Sequence, residues 1–119
     1  MSQILLIEDN VMNSELVKDI LEMENYEVTV VGDGCAALDT LQTRSFDLIL
    51  TDINLPRMDG LTLVRHMRSS GYSGLIVALT SDISTREGSF EEVGFNGFIQ
   101  KPFKINVFRE YVKSILDGS

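Results

Sequence analysis

Cysteine, proline and positive charge are all scarce in this chain, and each scarcity excludes a class of protein. The only cysteine, Cys35, rules out an internal disulfide and suits a reducing compartment. Two prolines in 119 residues leave no proline-rich linker, and no repeat or low-complexity tract interrupts the chain. No apolar run approaches the roughly 20 residues of a membrane span. The N-terminus has no basic region before its first apolar run, so no secretory signal is visible and a cytoplasmic location is expected. Lys plus Arg is 10 against 18 Asp plus Glu, a formal charge of −8. Such a surface repels phosphate backbones, so direct nucleic-acid binding is not expected without a separate basic domain.

Apolar residues make up 44% of the chain, enough for a packed core, and the length suits one domain over 1–119. The start at Met1 favours a free N-terminus, and the end just after the last helical pattern fits either a complete protein or a domain of a longer regulator. Short apolar runs at 3–7, 27–31, 46–51, 75–79 and 96–99 read as strands. Between and after them, 3.6-period stripes predict helices near 11–24, 33–43, 59–69, 84–94 and 104–116. The first stripe is Leu16, Val17, Ile20 and Leu21. The second is Ala37, Leu38 and Leu41, and the third is Leu61, Val64 and Met67. The fifth is Ile105, Phe108, Val112, Ile115 and Leu116. The fourth is the weakest, reduced to Phe90 and Val93 and interrupted by Gly88, which costs about 1 kcal/mol relative to alanine. Alternating strands and helices predict βαβ crossovers and an α/β doubly wound, five-stranded parallel sheet. The strand runs do not alternate with period two, as expected for strands covered on both faces. In such a sheet a topological switch beside the first strand leaves a crevice above the carboxyl ends, which brings Asp9 and Asp52 together.

Polar residues arrive at those carboxyl ends in a pattern. Glu8 and Asp9 follow the first strand, Asp52 the third, Thr80 the fourth and Lys101 the fifth. Two carboxylates about 4 Å apart repel by about 4 kcal/mol at an effective dielectric of about 20. Three cannot all stay ionised unless one holds a proton or a cation sits between them. With no nearby histidine or cysteine, an open all-oxygen site fits Mg²⁺. A carboxylate beside Mg²⁺, an ammonium and a hydroxyl donor form a site for a phosphoryl group. Asp52 is the expected nucleophile, Lys101 and the metal neutralise phosphoryl oxygens, and Thr80 binds one of them.

Read singly, these residues have plainer roles. Asp52 could cap a turn, Glu8 and Asp9 could complement a helix dipole, Thr80 could be an N-cap, and Lys101 a surface lysine. His66 reads as solvated, Cys35 as a small core or surface residue, and the methionines as core fillers. Met12 is also a candidate partner contact.

Taken in order, Ile7-Glu8-Asp9-Asn10, Asp52 with Leu55-Pro56-Arg57-Met58-Asp59-Gly60, Thr80 and Lys101-Pro102-Phe103 resemble the receiver domains of two-component response regulators, a CheY-like family, over essentially the whole chain. The resemblance implies a flavodoxin-like fold with strand order 2-1-3-4-5. It also implies phosphorylation of Asp52 by a histidine kinase or histidine phosphotransfer protein. The implied Mg²⁺ ligands are Asp9, Asp52, the Asn54 backbone carbonyl and, through water, Glu8, with Mn²⁺ an acceptable substitute. Thr80 and Phe98 would form the switch pair, Phe98 standing where many members carry tyrosine, and Ser81 where alanine is common. Asn10, Met12, Asn13, Leu16, Pro102 and Phe103 are candidate partner contacts, and the 84–116 face is the expected surface for a downstream target. The opening Asp9-Asn10-Val11-Met12-Asn13 looks more like phosphorelay and hybrid-kinase receivers. A cis Lys101-Pro102 bond is implied as well.

Other functions meet specific obstacles. A small Mg²⁺-dependent phosphohydrolase with an aspartyl-phosphate intermediate shares the nucleophile and metal, but Asn54 offers only an amide where a general acid or base is needed. A flavodoxin-like electron carrier needs a phosphate-cradling loop after the first strand, where Glu8 and Asp9 would repel the phosphate. A degenerate receiver is disfavoured by the intact acid, hydroxyl and lysine set. No separate turnover of a small molecule is expected.

Overall fold

A computed structural model describes residues 2–81 and 87–118. Strands and helices alternate as β1 (Gln3–Ile7), α1 (Val11–Glu22), β2 (Glu27–Val31), α2 (Gly34–Thr43), β3 (Leu48–Asp52), α3 (Gly60–Ser69), β4 (Ile76–Thr80), α4 (Glu87–Val93), β5 (Gly97–Gln100) and α5 (Ile105–Leu116). All pairings are parallel, in the order β2-β1-β3-β4-β5. The expected doubly wound topology is present, with the first and third strands adjacent.

Side-chain alternation across the sheet explains why the strand runs are continuously apolar. Ile4 and Leu6 join one core with Val17, Ile20 and Leu21 of α1 and Phe108 and Val112 of α5. Leu5 and Ile7 join the other with Ala37 of α2, Val64 and Met67 of α3, and Phe90 of α4. Helices α1 and α5 therefore cover one face, and α2, α3 and α4 the other.

Among the described residues, three helices begin on a side-chain cap. Asn10 accepts from the Asn13 amide at 2.9 Å, Asp33 from Ala36 at 2.7 Å and Asp59 from Thr62 at 2.8 Å. Each such cap contributes about 1 kcal/mol. Helix α1 stops at Glu22, two residues short of the expected end, because the chain turns through Asn25 at φ 67°. Helices α2 and α3 each start one residue later than expected, since Asp33 and Asp59 are their caps. Of the weak fourth helix, Glu87–Val93 is helical, and 84–86 lie outside the described residues.

Strand β3 runs two residues later than the expected start, since its pairing with β1 begins at Leu48 opposite Ile4. Asp52 and Thr80 are consequently the last residues of their strands, not the first beyond them. Leu16 and Ile105 are exposed instead of joining their helix stripes, and Met12 and Met23 are exposed methionines that fill no core gap. His66 and Cys35 are exposed. The Lys101–Pro102 peptide is cis.

Candidate functional site

Ladder hydrogen bonds continue past the strand ends and hold the backbone at this rim. The Glu8 amide donates to Val31 at 3.0 Å, Ile53 to Leu79 at 3.3 Å, and Lys101 to Thr80 at 2.7 Å. The register that sets Ile7 opposite Thr51 brings the following residues, Glu8 and Asp52, to the same rim. Carboxylate oxygens of Glu8, Asp9 and Asp52 lie within 4.8 Å of one another. Glu8 and Asp52 are buried, at 4% and 8% exposure, whereas Asp9 is open to solvent.

Lys101 reaches across the sheet into this cluster. Its Nζ donates to Asp52 Oδ2 at 2.9 Å and to Glu8 Oε2 at 3.2 Å. Each acid's second oxygen is also bound: Asp52 Oδ1 accepts from the Asn54 amide at 3.0 Å, and Glu8 Oε1 from the Asn10 amide at 3.1 Å. Burial pushes the Glu8 carboxyl above its ordinary range; the Asn10 amide opposes this, and nearby Asp52 adds to it. Burial alone would lower the Lys101 ammonium, but its bonds to Asp52 and Glu8 outweigh that and raise it. The lysine thus stays protonated and partly neutralises the acids.

The donor set suits a hard cation. The group consists only of carboxylates, and Asp9 leaves it open to water, which fits Mg²⁺ better than a metal preferring nitrogen or sulfur.

The loop after Asp52 is built tightly. The Gly60 amide donates to the Ile53 carbonyl at 2.8 Å, and a Cβ on Gly60 would lie 2.6 Å from the Asp52 carbonyl oxygen. Arg57 adopts φ 68°, in the left-handed region, and lies 3.9 Å from Asp33. This loop carries the Asn54 amide onto the Asp52 carboxylate.

The remaining expected site residues fall into two places. Thr80 ends β4 at 1% exposure, with the exposed Ser81 after it. Phe98 is half-buried, its ring stacked on Phe90 of α4 with centroids 5.2 Å apart. On the other side of Lys101, Asn13, Leu16, Pro102 and Phe103 line a cleft of about 330 Å³. Met12 stands out from α1 at 81% exposure, and Asn10 caps that helix. Sequence reading missed two contributors: the Asn54 amide and the close approach at Gly60, both of which depend on loop conformation.

The family model described as "Response regulator receiver domain" matches residues 4–113. The chain is 30% identical over 116 residues to the polar-differentiation response regulator DivK of Brucella anthropi, covering 95% of this chain and 94% of DivK. It is 36% identical over 123 residues to an osmosensing histidine protein kinase of Saccharomyces cerevisiae, covering 96% of this chain and 10% of that kinase. The chain spans 10–16% of the length of several large curated relatives it matches. Among solved structures, the receiver domain of a sensor histidine kinase from Pseudomonas aeruginosa superposes with a TM-score of 0.88 at 31% identity. It covers 99% of this chain and 98% of that one, and it carries a magnesium ion coordinated in its active-site cleft. Among the described residues, no helix is long and apolar enough to cross a membrane.

Proposed function

The chain belongs to the response regulator receiver domains of two-component signalling, and from that membership we propose that residues 1–119 form one phosphorylation-controlled switch with Asp52 as its acceptor. An Asp52 oxygen attacks the phosphorus of a phosphohistidine on a kinase or phosphotransfer protein. The P–N bond breaks with its electron pair returning to the imidazole nitrogen, and a P–O bond forms. Asp9 and Asp52, the Asn54 carbonyl, and Glu8 through water would hold Mg²⁺, which when bound supplies positive charge to the phosphoryl oxygens.

Lys101 keeps its proton and neutralises a phosphoryl oxygen. The Thr80 hydroxyl donates to another, and the Phe98 ring turns inward as Thr80 moves. Phosphorylation adds about −1.5 to −2 of charge, and a population shift between two packings carries the change to a downstream protein. That target would meet the 84–116 face, of which 84–86 lie outside the described residues. The phosphodonor would meet Asn10, Met12, Asn13, Leu16, Pro102 and Phe103, around the cleft beside Lys101.

The observation that best supports this reading is Lys101 Nζ bonded to both Glu8 and Asp52 at the rim where Asp9 also stands. Intact mass after exposure to acetyl phosphate and Mg²⁺ tests it. The expected result is one phosphoryl group on the wild type and none on Asp52→Asn. Equal labelling of both would show that the acceptor is another residue.

A further inference from the structure

At the edge of the sheet opposite the acidic site, one side chain ties three segments together. Arg68, near the end of α3, donates through Nη1 to the carbonyls of Tyr72 and Gly74, both at 2.9 Å. Its Nε donates to the Gly94 carbonyl and its Nη2 to Asn96 Oδ1, again at 2.9 Å. Asn96 is itself locked to the start of β4: its Oδ1 accepts from the Ile76 amide at 2.9 Å, and its own amide donates to the Ile76 carbonyl at 2.7 Å. Among the described residues, no carboxylate shares these bonds. The guanidinium fork is spent on main-chain and amide oxygens, a geometry that lysine cannot reproduce.

Gly94 is shaped for this contact. Its φ is +125°, and a Cβ there would lie 2.6 Å from Arg68 Cγ. The Gly94 and Phe95 amides both close onto the Phe90 carbonyl, at 3.2 and 3.0 Å, which ends α4 directly over the arginine. The C-terminal end of α4 is therefore fastened to both α3 and β4.

The body of α4 is held differently. Its described part, Glu87–Val93, is too short to persist without tertiary support. That support includes the Phe90 ring, stacked on Phe98 at 5.2 Å and set edge-on to Phe95 at 5.7 Å. Aromatic stacks slide and tilt at small energetic cost, whereas a four-bond guanidinium clamp does not. Phe98 is also the residue assigned to the switch, so its motion is passed first to Phe90.

We propose that Arg68 is the fulcrum of the output helix: it holds the Gly94–Asn96 junction fixed while Phe90 follows Phe98, so that phosphorylation tilts α4 about its C-terminal end. This rests on the phosphorylation switch proposed above. Arg68 lies at the opposite end of the sheet from Asp52, so it acts as a positioning residue for the response and takes no part in phosphoryl transfer.

Residual dipolar couplings of backbone amides, measured with and without beryllofluoride and Mg²⁺, test the proposal on the intact chain. In the wild type, the couplings of 90–93 should change together as a tilt, while those of Gly94, Phe95 and Asn96 keep their values relative to the sheet. Equal reorientation of 90–93 and 94–96 would mean α4 moves as a free body and would overturn the fulcrum. In Arg68→Lys, amide exchange at 94–96 should be about tenfold faster and the tilt at 90–93 reduced, with Asp52 labelling by acetyl phosphate unchanged in intact mass. A full tilt in Arg68→Lys also overturns it. The wild-type couplings decide the matter alone if that variant does not fold. Absence of phosphoryl labelling on the wild type removes the switch and the fulcrum together, whereas labelling with the wrong coupling pattern removes only the fulcrum.

Discussion

Glu8 is a buried acid whose neighbours impose opposite demands. Burial favours its protonated form, while the Asn10 amide and Lys101 favour the carboxylate. Because its pKa is raised in the fold, the folded chain holds this proton more tightly than the unfolded chain does. Its contribution to stability is therefore complete below the ordinary value of 4.5 and is lost as pH rises through the raised one. With metal chelated, Glu8→Gln should gain stability over the wild type as pH rises across that window, as measured by urea unfolding at several pH values. A difference that does not vary with pH would remove Glu8 as the titrating group. Lys101 has the same sign at the alkaline end: its contribution is present below 10.5 and lost above its raised value. Lys101→Met should accordingly lack part of the alkaline loss seen in the wild type. The comparison has to be made between the two proteins, because Tyr72 and Tyr111, both raised first by burial, titrate in the same region.

Among the elements, the turn from β3 into α3 does the most to shape the site. Gly60 lies against the carbonyl of the proposed acceptor itself, and backbone cannot yield as a side-chain tip can. Gly60→Ala should cost about 1–3 kcal/mol of stability, the usual range for overpacking, and should slow labelling of Asp52 by acetyl phosphate. Thermal unfolding and labelling rate together check this; loss of stability with normal labelling would mean that the loop relaxes away from the site. Asp59→Ala removes only a cap and should cost about 1 kcal/mol, leaving labelling intact. The strand ends were readable from apolar runs, yet β3 and β4 each end one residue later than those runs suggested. Asp52 and Thr80 are polar residues carried on buried strands, and hydropathy alone assigns such residues to the following loop. The helix stripes failed similarly at Leu16 and Ile105, where apolar character marked exposed surface near the first turns of α1 and α5.

For the whole molecule, a cation bound to the folded state alone should stabilise it by mass action. At a Mg²⁺ concentration of about 100 times its dissociation constant the gain is about 2.7 kcal/mol, reversed by EDTA. Asp9→Asn should reduce this shift while leaving metal-free stability nearly unchanged, since Asp9 is exposed. Differential scanning calorimetry with and without Mg²⁺ measures both, and an undiminished shift in the variant would remove Asp9 from the ligands.

Residue periodicity by itself determined the alternation of strands and helices and the parallel doubly wound sheet, because both are written in local spacing that a short window can read. It also determined that Glu8, Asp9, Asp52, Thr80 and Lys101 stand at strand ends. Tertiary structure alone decided that Lys101 bonds to Glu8 and Asp52, partners 93 and 49 residues away in the chain. It alone decided that Gly60 must have no side chain and that Arg68 fastens the end of α4. Those contacts join residues whose own neighbours in sequence carry no sign of them, and the path of the backbone through space is what brings them together.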